Sequence, residues 1–191
     1  MSFEVDQVLR PELGRDERLL WSAMPASGIR FRPSDALAVP FSVMWGGFAM
    51  FWEYSVVTKD APLLFSLWGI PFVLIGLHLI VGRFFLDSYL RARTFYGLTD
   101  QRVIIVSGLF NREVKSLALT GLSDVSLSER PDGSGTITMG PPNPFQLMWL
   151  GPSWPGASKR LTPALEFIDD ARKVYGLIRD AQRDASTRRA T

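Results

Sequence analysis

Two apolar stretches decide the fold: Ala36–Val57 (ALAVPFSVMWGGFAMFWEYSVV) and Ala61–Gly82 (APLLFSLWGIPFVLIGLHLIVG). Glu53 is the single formal charge in either stretch. Each stretch has 22 residues. As a helix, each would be roughly 33 Å long, which matches a hydrocarbon core of roughly 30 Å. We therefore predict two membrane-spanning helices, at about 36–57 and 61–82, within a transmembrane segment of residues 36–86.

A polar link of three residues, Thr58-Lys59-Asp60, separates the two stretches. So short a link permits only a tight antiparallel turn. Pro62 suits the first turn of the second helix, where its missing N–H is not needed. The alternative is a buried helical pair in a soluble protein, but burying both helices on all sides needs more protein than the rest of the chain provides. The sequence favours a membrane hairpin.

Arginines flank the outer ends of this hairpin. They are Arg30, Arg32, Arg83, Arg91 and Arg93, whereas the link carries only Lys59. Positive residues concentrate on the cytoplasmic side of membrane helices. We predict a multi-pass protein of the cell's inner (plasma) membrane with both termini in the cytoplasm, so that residues 1–35 form a cytoplasmic N-terminal segment.

Two polar residues inside the hairpin allow a functional interpretation. An intramembrane carboxylate such as Glu53 is costly and often belongs to an ion or proton path, which would suit a small oligomeric channel or transport-accessory protein. Glu53 lies close to the link, however, beside Trp52 and Tyr54. This position favours an interfacial carboxylate within an aromatic belt. His78, the only histidine, is interpreted as a hydrogen-bonding residue within the hairpin or near the headgroups; in the channel alternative it would conduct protons together with Glu53.

Four glycines could let helices approach closely, as packing in lipid favours. They are Gly46, Gly47, Gly69 and Gly76. They form no strict small-xxx-small repeat. Packing within the chain is the favoured interpretation, and packing between chains remains the alternative.

Beyond Arg91 the pattern changes to short runs rich in Val, Ile and Thr between turn residues, which is typical of strands. The predicted strands are 94–98, 102–107, 112–119, 124–130 and 136–139. Pro131-Asp132-Gly133-Ser134-Gly135 is a strong turn signal. Five strands in so short a stretch indicate an antiparallel meander.

A helix is predicted from about Ala164 to Ala185. Apolar residues recur there at spacings of three and four, and Pro163 marks its first turn. The predicted fold class is therefore a membrane α-helical hairpin followed by an α+β domain at 92–185. Residues 186–191 are expected to be a frayed tail.

Several motifs resemble the bacterial pleckstrin-homology-like (PH-like) domains. They are Tyr96–Ile105 (YGLTDQRVII), Gly133–Ile137 (GSGTI), Phe167–Tyr175 (FIDDARKVY) and Glu17–Trp21 (ERLLW). The resemblance covers nearly the whole chain and contains no catalytic signature. It implies a curved seven-stranded sheet or barrel capped by a C-terminal helix, often beside paired membrane helices. Two strands are then missing from the count, and they are expected within Gly140–Pro163.

That segment, Gly140–Pro163, is rich in proline and departs from a clean strand pattern. It carries Trp149, Trp154, Lys159 and Arg160. Tryptophan beside basic residues suits a loop that touches the membrane surface or a partner. The simpler alternative is that this segment completes the barrel.

Composition argues against several classes of function. The chain has no cysteine and one histidine, which lies in a predicted membrane helix, so we expect no catalytic residues, no metal site and no cofactor. A formal charge of +2 does not indicate nucleic acid binding. Phosphoinositide binding is not supported, because the first hairpin turn offers only Arg102 beside Asp100.

The sequence thus predicts a membrane-anchored interaction or scaffold module without enzymatic activity. Its partners would be the lipid bilayer and either another protein or its own copies. The fold alone names no ligand, because one fold hosts many functions.

Overall fold

The computed structural model describes residues 2–28, 35–59, 62–108, 111–141 and 162–190. These residues fall into two compact units. The helical unit contains residues 35–59 and 62–88. The β unit contains the described parts of 2–28, 89–141 and 162–190.

The helical unit is an antiparallel pair. Helix α2 spans Asp35–Thr58. Helix α3 spans Leu63–Leu77, continues through a π-helical stretch at His78–Gly82, and joins helix α4 at Arg83–Arg91. Both helices are present, although the second runs nine residues beyond its predicted end; that the two form a membrane hairpin stays a prediction. By length and composition, one helix of the described chain could cross a membrane: Leu63–Arg91, with a mean hydropathy of 2.2.

The β unit contains two antiparallel sheets. The first has the order β1-β2-β3-β4 and the second β5-β6-β7. The strands are β1 Leu19–Ala23, β2 Thr94–Thr99, β3 Arg102–Ser107, β4 Glu113–Ala118, β5 Val125–Glu129, β6 Gly135–Met139 and β7 Ala164–Ile168. Helix α5, Ala171–Ala190, follows the last strand.

Strands β2 and β3 are buried on both faces, which explains why their apolar runs do not alternate with polar residues. One face of β3 places Val103 and Ile105 in the main core together with α5. The opposite face places Ile104 and Val106 in a second cluster. Helix α1, Ser2–Leu9, covers that second face with side chains that include Val5 and Leu9. The N-terminal segment is therefore part of the β unit.

All five predicted strands are confirmed, and the described residues contain two more strands, both outside the segment in which further strands were expected. They are β1, which pairs with β2, and β7, which pairs with β6. Strand β1 was not predicted because its apolar run is short and its stabilising partner lies far away in the chain. Residues 142–161, where the extra strands were expected, lie outside the described residues.

The predicted start of the C-terminal helix was also wrong. Residues 164–168 are strand β7, and α5 begins at Ala171. Phe167 and Asp170 have φ angles of 51° and 50°, which interrupt any continuous right-handed helix. Leu165 and Ile168, two apolar residues of the predicted helix, are fully buried but belong to the strand. Consequently Pro163 precedes a strand rather than opening a helix.

Candidate functional site

The two long helices cross at a pair of glycines. A Cβ atom added to Gly76 would lie 2.8 Å from the Cα of Gly46, so the two backbones are in direct contact. Gly69 also faces α2, whereas a Cβ at Gly47 would meet open space. Three of the four predicted small positions therefore pack within the chain, and Gly47 does not.

The helical pair exposes nearly all of the large apolar surface. Among the described residues, every exposed large apolar side chain except Leu20 and Val114 lies between Phe41 and Tyr89. Phe51 and Leu63 are 68% and 74% exposed. Contiguous apolar surface of this extent is uncommon on soluble monomers and marks an interaction surface.

Glu53 faces the partner helix. One of its carboxylate oxygens, Oε2, is buried and has no hydrogen-bond partner within the described chain. It packs so closely on the backbone of Gly69 that a Cβ there would fall 1.8 Å from this oxygen. The rest of the side chain is partly accessible. The glycine thus makes room for the carboxylate between the helices.

His78 is exposed at the start of the π-helical stretch, and its Nδ1 lies over Gly82. It follows Gly69, the neighbour of Glu53, by nine residues, which is about 13 Å along a helix axis. The structure therefore does not bring Glu53 and His78 together.

At the opposite end of the pair from Glu53, the structure contains an ion pair that was not predicted from the sequence. Arg83 Nη2 lies 3.4 Å from Asp35 Oδ1, and both side chains are at least nine-tenths buried. Arg83 had been interpreted only as a flanking positive charge. The pairing could not be predicted, because the two residues are adjacent only once the helices pack.

The remaining predicted site residues, Trp149, Trp154, Lys159 and Arg160, lie outside the described residues. Their predicted contact with a partner or a membrane surface stays a prediction.

The first hairpin turn of the β unit is held by an ion pair to the N-terminal segment. Arg102 donates to both carboxylate oxygens of Glu17, from Nε at 2.8 Å and from Nη2 at 2.7 Å. Thr99 and the backbone N–H of Gly14 also donate to Glu17. Hydrogen bonds from Arg102 above all, with those from Gly14 and Thr99, lower the pKa of Glu17 from 4.5 to about 2.

Asp100, the second charged residue of this turn, is also hydrogen-bonded. Asp100 accepts a hydrogen bond from Arg188 of α5 at 2.8 Å and another from the backbone N–H of Arg18. The Arg188 hydrogen bond is the main cause that lowers the pKa of Asp100. The turn is therefore tied to both ends of the chain, and the Arg102 guanidinium is occupied by a carboxylate of the protein itself.

Two antiparallel sheets of four and three strands, followed by a C-terminal helix packed on their common core, define the chain as a PH-like α+β protein. A family model described as "Bacterial PH domain" matches residues 45–182. The chain belongs to this family. Comparisons with curated proteins and with solved structures found no match.

Proposed function

We propose that this protein is a membrane-anchored interaction module without catalytic activity. In this proposal α2 and α3 form a hairpin in the inner membrane, and the β unit works in the cytoplasm at the membrane face. The observation that carries the proposal is the concentration of exposed apolar side chains between Phe41 and Tyr89. At about 25 cal/mol per Å² of apolar surface, leaving such an area in water would be strongly unfavourable, whereas lipid accommodates it.

The polar residues of the hairpin are compatible with this anchor. Trp52 and Tyr54 are 47% and 69% exposed and flank Glu53 near the end of α2. Aromatic side chains at such a level suit the headgroup boundary. Glu53 would then lie near the interface rather than at the bilayer centre, where a carboxylate is most costly.

A cysteine-labelling experiment tests the anchor and its orientation. The chain contains no cysteine, so single cysteines can be introduced without background. In intact cells we expect a membrane-impermeant maleimide to label Lys59→Cys in the link, and Ser186→Cys near the C-terminus only after permeabilisation. Alkaline carbonate should leave almost all of the protein in the membrane fraction. Release by carbonate would contradict the anchor, and the reverse labelling pattern would contradict the orientation.

The interaction role would be served by surfaces of the β unit and the segment containing Trp149 and Trp154. Among the described strands, β4 is at the edge of its sheet and is hydrogen-bonded to β3 on one side. Such an edge has backbone groups able to pair with an added strand. Phosphoinositide recognition is not part of the proposal, because the Nε and Nη2 atoms of Arg102 already donate hydrogen bonds to the carboxylate of Glu17.

Crosslinking and pull-down from native membranes test the interaction role. We expect a protein partner or a second copy of the chain to be recovered with the wild type, and less with Trp149→Ala or Trp154→Ala. Phe51→Ala, a change on the exposed face of α2, is the control for nonspecific recovery. Failure to recover any protein would remove the main support for an interaction module.

We propose that the protein has no catalytic activity because of the chemistry of its candidate nucleophile and base. Ser134, in the glycine-rich turn, donates its hydroxyl to Asp132 Oδ1 at 2.7 Å and is 4% exposed, so it supports the turn. The sole histidine lies on the exposed surface of the helical unit. A serine nucleophile needs an adjacent base such as histidine.

The second candidate function is an oligomeric channel or transport-accessory protein, favoured by the unpaired buried oxygen of Glu53. If it were correct, Glu53→Gln or His78→Ala would change ion flux into vesicles that contain the purified protein. Our proposal predicts that neither substitution changes the flux or the oligomeric state. A change in flux with an intact oligomer would favour the channel.

A further inference from the structure

A cleft of about 370 Å³ lies in the β unit at the end of the first hairpin remote from its turn. Phe95 and Val106 form part of its apolar floor. Arg93, Ser107, Asn111 and Arg112 also line it. No carboxylate lines the cleft within the described part of the chain. Its size falls at the low end of ordinary small-molecule sites.

The two arginines of the cleft differ in their partners. Arg112 Nη2 is 2.9 Å from Glu12 Oε1 and donates to the carbonyl of Val8, also at 2.9 Å. These contacts hold the Arg112 side chain in place but partly neutralise it. Arg93 has no acidic partner among the described residues; its guanidinium lies 4.6 Å from the centre of the Tyr89 ring. Arg93 is exposed, so its charge is available to an incoming anion.

This set of groups suits a phosphate. Guanidinium groups bind phosphate oxygens through paired, charge-assisted hydrogen bonds. Ser107 and Asn111 have hydroxyl and amide groups that can donate further hydrogen bonds to a phosphate oxygen. An apolar floor beside these donors suits a ligand that joins a phosphate to a hydrocarbon portion.

The position of Arg93 along the chain favours a lipid as the source of the phosphate. The apolar helix ends at Arg91, two residues before Arg93. Phe85 and Tyr89 in its last turns are 64% and 46% exposed. If this helix spans the bilayer, as the proposed function requires, Tyr89 and Arg93 lie at headgroup depth, where aromatic rings and arginines are favoured.

We propose that the cleft lined by Arg93 and Arg112 binds the headgroup phosphate of an anionic phospholipid. The site differs from a phosphoinositide site at the Thr99–Arg102 turn, because it lies at the other end of strands β2 and β3. About five residues of strand separate the two ends, or roughly 17 Å. The membrane location of the cleft rests on the proposed function, whereas its affinity for phosphate rests on the cleft itself.

The test uses the purified full chain in nanodiscs, with native mass spectrometry to count retained lipids. We expect retention of phosphatidylglycerol over phosphatidylcholine in the wild type. Arg93→Gln should weaken this retention about tenfold, the effect of losing one charge-assisted hydrogen-bonded contact. Arg179→Gln, which removes an exposed arginine on α5, is the matched control and should retain lipid like the wild type.

Two further arms separate the sources of phosphate. Inorganic phosphate in excess should displace little phosphatidylglycerol if the lipid is the ligand, because free phosphate lacks the hydrocarbon portion. Complete displacement by inorganic phosphate would overturn the lipid assignment. Equal retention in the wild type and Arg93→Gln, with unchanged circular dichroism, would overturn the site.

Failure of the site and failure of the membrane anchor are distinguishable. If carbonate releases the protein from the membrane but its retention of phosphatidylglycerol still depends on Arg93, the anchor is contradicted and the cleft remains a phospholipid site. A chain that resists extraction but retains lipid independently of Arg93 would contradict the cleft and leave the anchor.

Discussion

Replacing Gly76 with valine should force α2 and α3 apart, whereas the same change at Gly47 should leave them paired. The first Cβ atom at Gly76 would lie 2.8 Å from the Cα of Gly46. Backbone cannot rotate away as a side chain can, so the helices must separate. We expect a loss of about 2–3 kcal/mol in the free energy of unfolding, in the upper range for inserting atoms into a packed site.

Denaturation with sodium dodecyl sulfate, starting from mild detergent and followed by tryptophan fluorescence, measures this effect. Trp45, Trp52 and Trp68 all lie in the helical pair and report on its packing. Gly47→Val is the matched control, because it makes the same change in helix propensity on an exposed face of α2. Equal loss of stability in both variants would show that close approach at Gly76 is not what holds the helices together.

Replacing Glu17 with glutamine should destabilise the β unit at neutral pH and have progressively less effect in acid. The pKa of Glu17 falls from 4.5 in the unfolded chain to about 2 in the fold. This difference corresponds to stabilisation on the order of 3 kcal/mol. The folded state binds the proton more weakly, so the stabilisation is complete above pH 4.5 and is lost as the pH falls toward 2.

Urea titration of the full chain in mild detergent, followed by circular dichroism, measures the difference between wild type and Glu17→Gln at each pH. Glu129→Gln is the control, because Glu129 pairs with Arg172, whose side chain is 80% exposed. Exposed pairs of this kind contribute about 0–1 kcal/mol. A difference between wild type and Glu17→Gln that stays constant from pH 7 to about pH 2 would contradict the role of the ionised carboxylate.

Elements set by local sequence signals were predicted, whereas elements set by contacts between distant residues were not. The apolar length of the long helices predicted both of them. Strands β2 and β3 were predicted almost to the residue, because turn-forming residues separate the Thr- and aromatic-containing run of β2 from the Val- and Ile-rich run of β3. By contrast, Leu165 and Ile168 suit one face of a helix as well as a buried strand. These residues form a strand because they pair with β6 and because the positive φ angles of Phe167 and Asp170 interrupt a helix.

The candidate sites follow the same division. Glu53 was identified as the only formal charge in two apolar stretches, but its contact with Gly69 depends on helix packing. Arg93 was interpreted as a flanking charge, and its cleft forms only when α1, β2 and β3 meet. The partners Arg102 and Glu17 are 85 residues apart. No local pattern connects them, since the periodicity of a sequence reports on neighbouring residues and not on contacts between distant segments.

The sequence by itself determined that two long apolar helices precede a strand-rich domain, because hydropathy and turn residues act over a few neighbours. The bacterial PH type followed from the resemblance of its motifs to that family. Only the tertiary structure decided that α1 and β1 complete the β unit, that Gly46 and Gly76 form the helix crossing, and that Arg102 is bound by Glu17. These features are contacts between distant segments. Their energy comes from packing and charge pairing that exist only after the chain has folded.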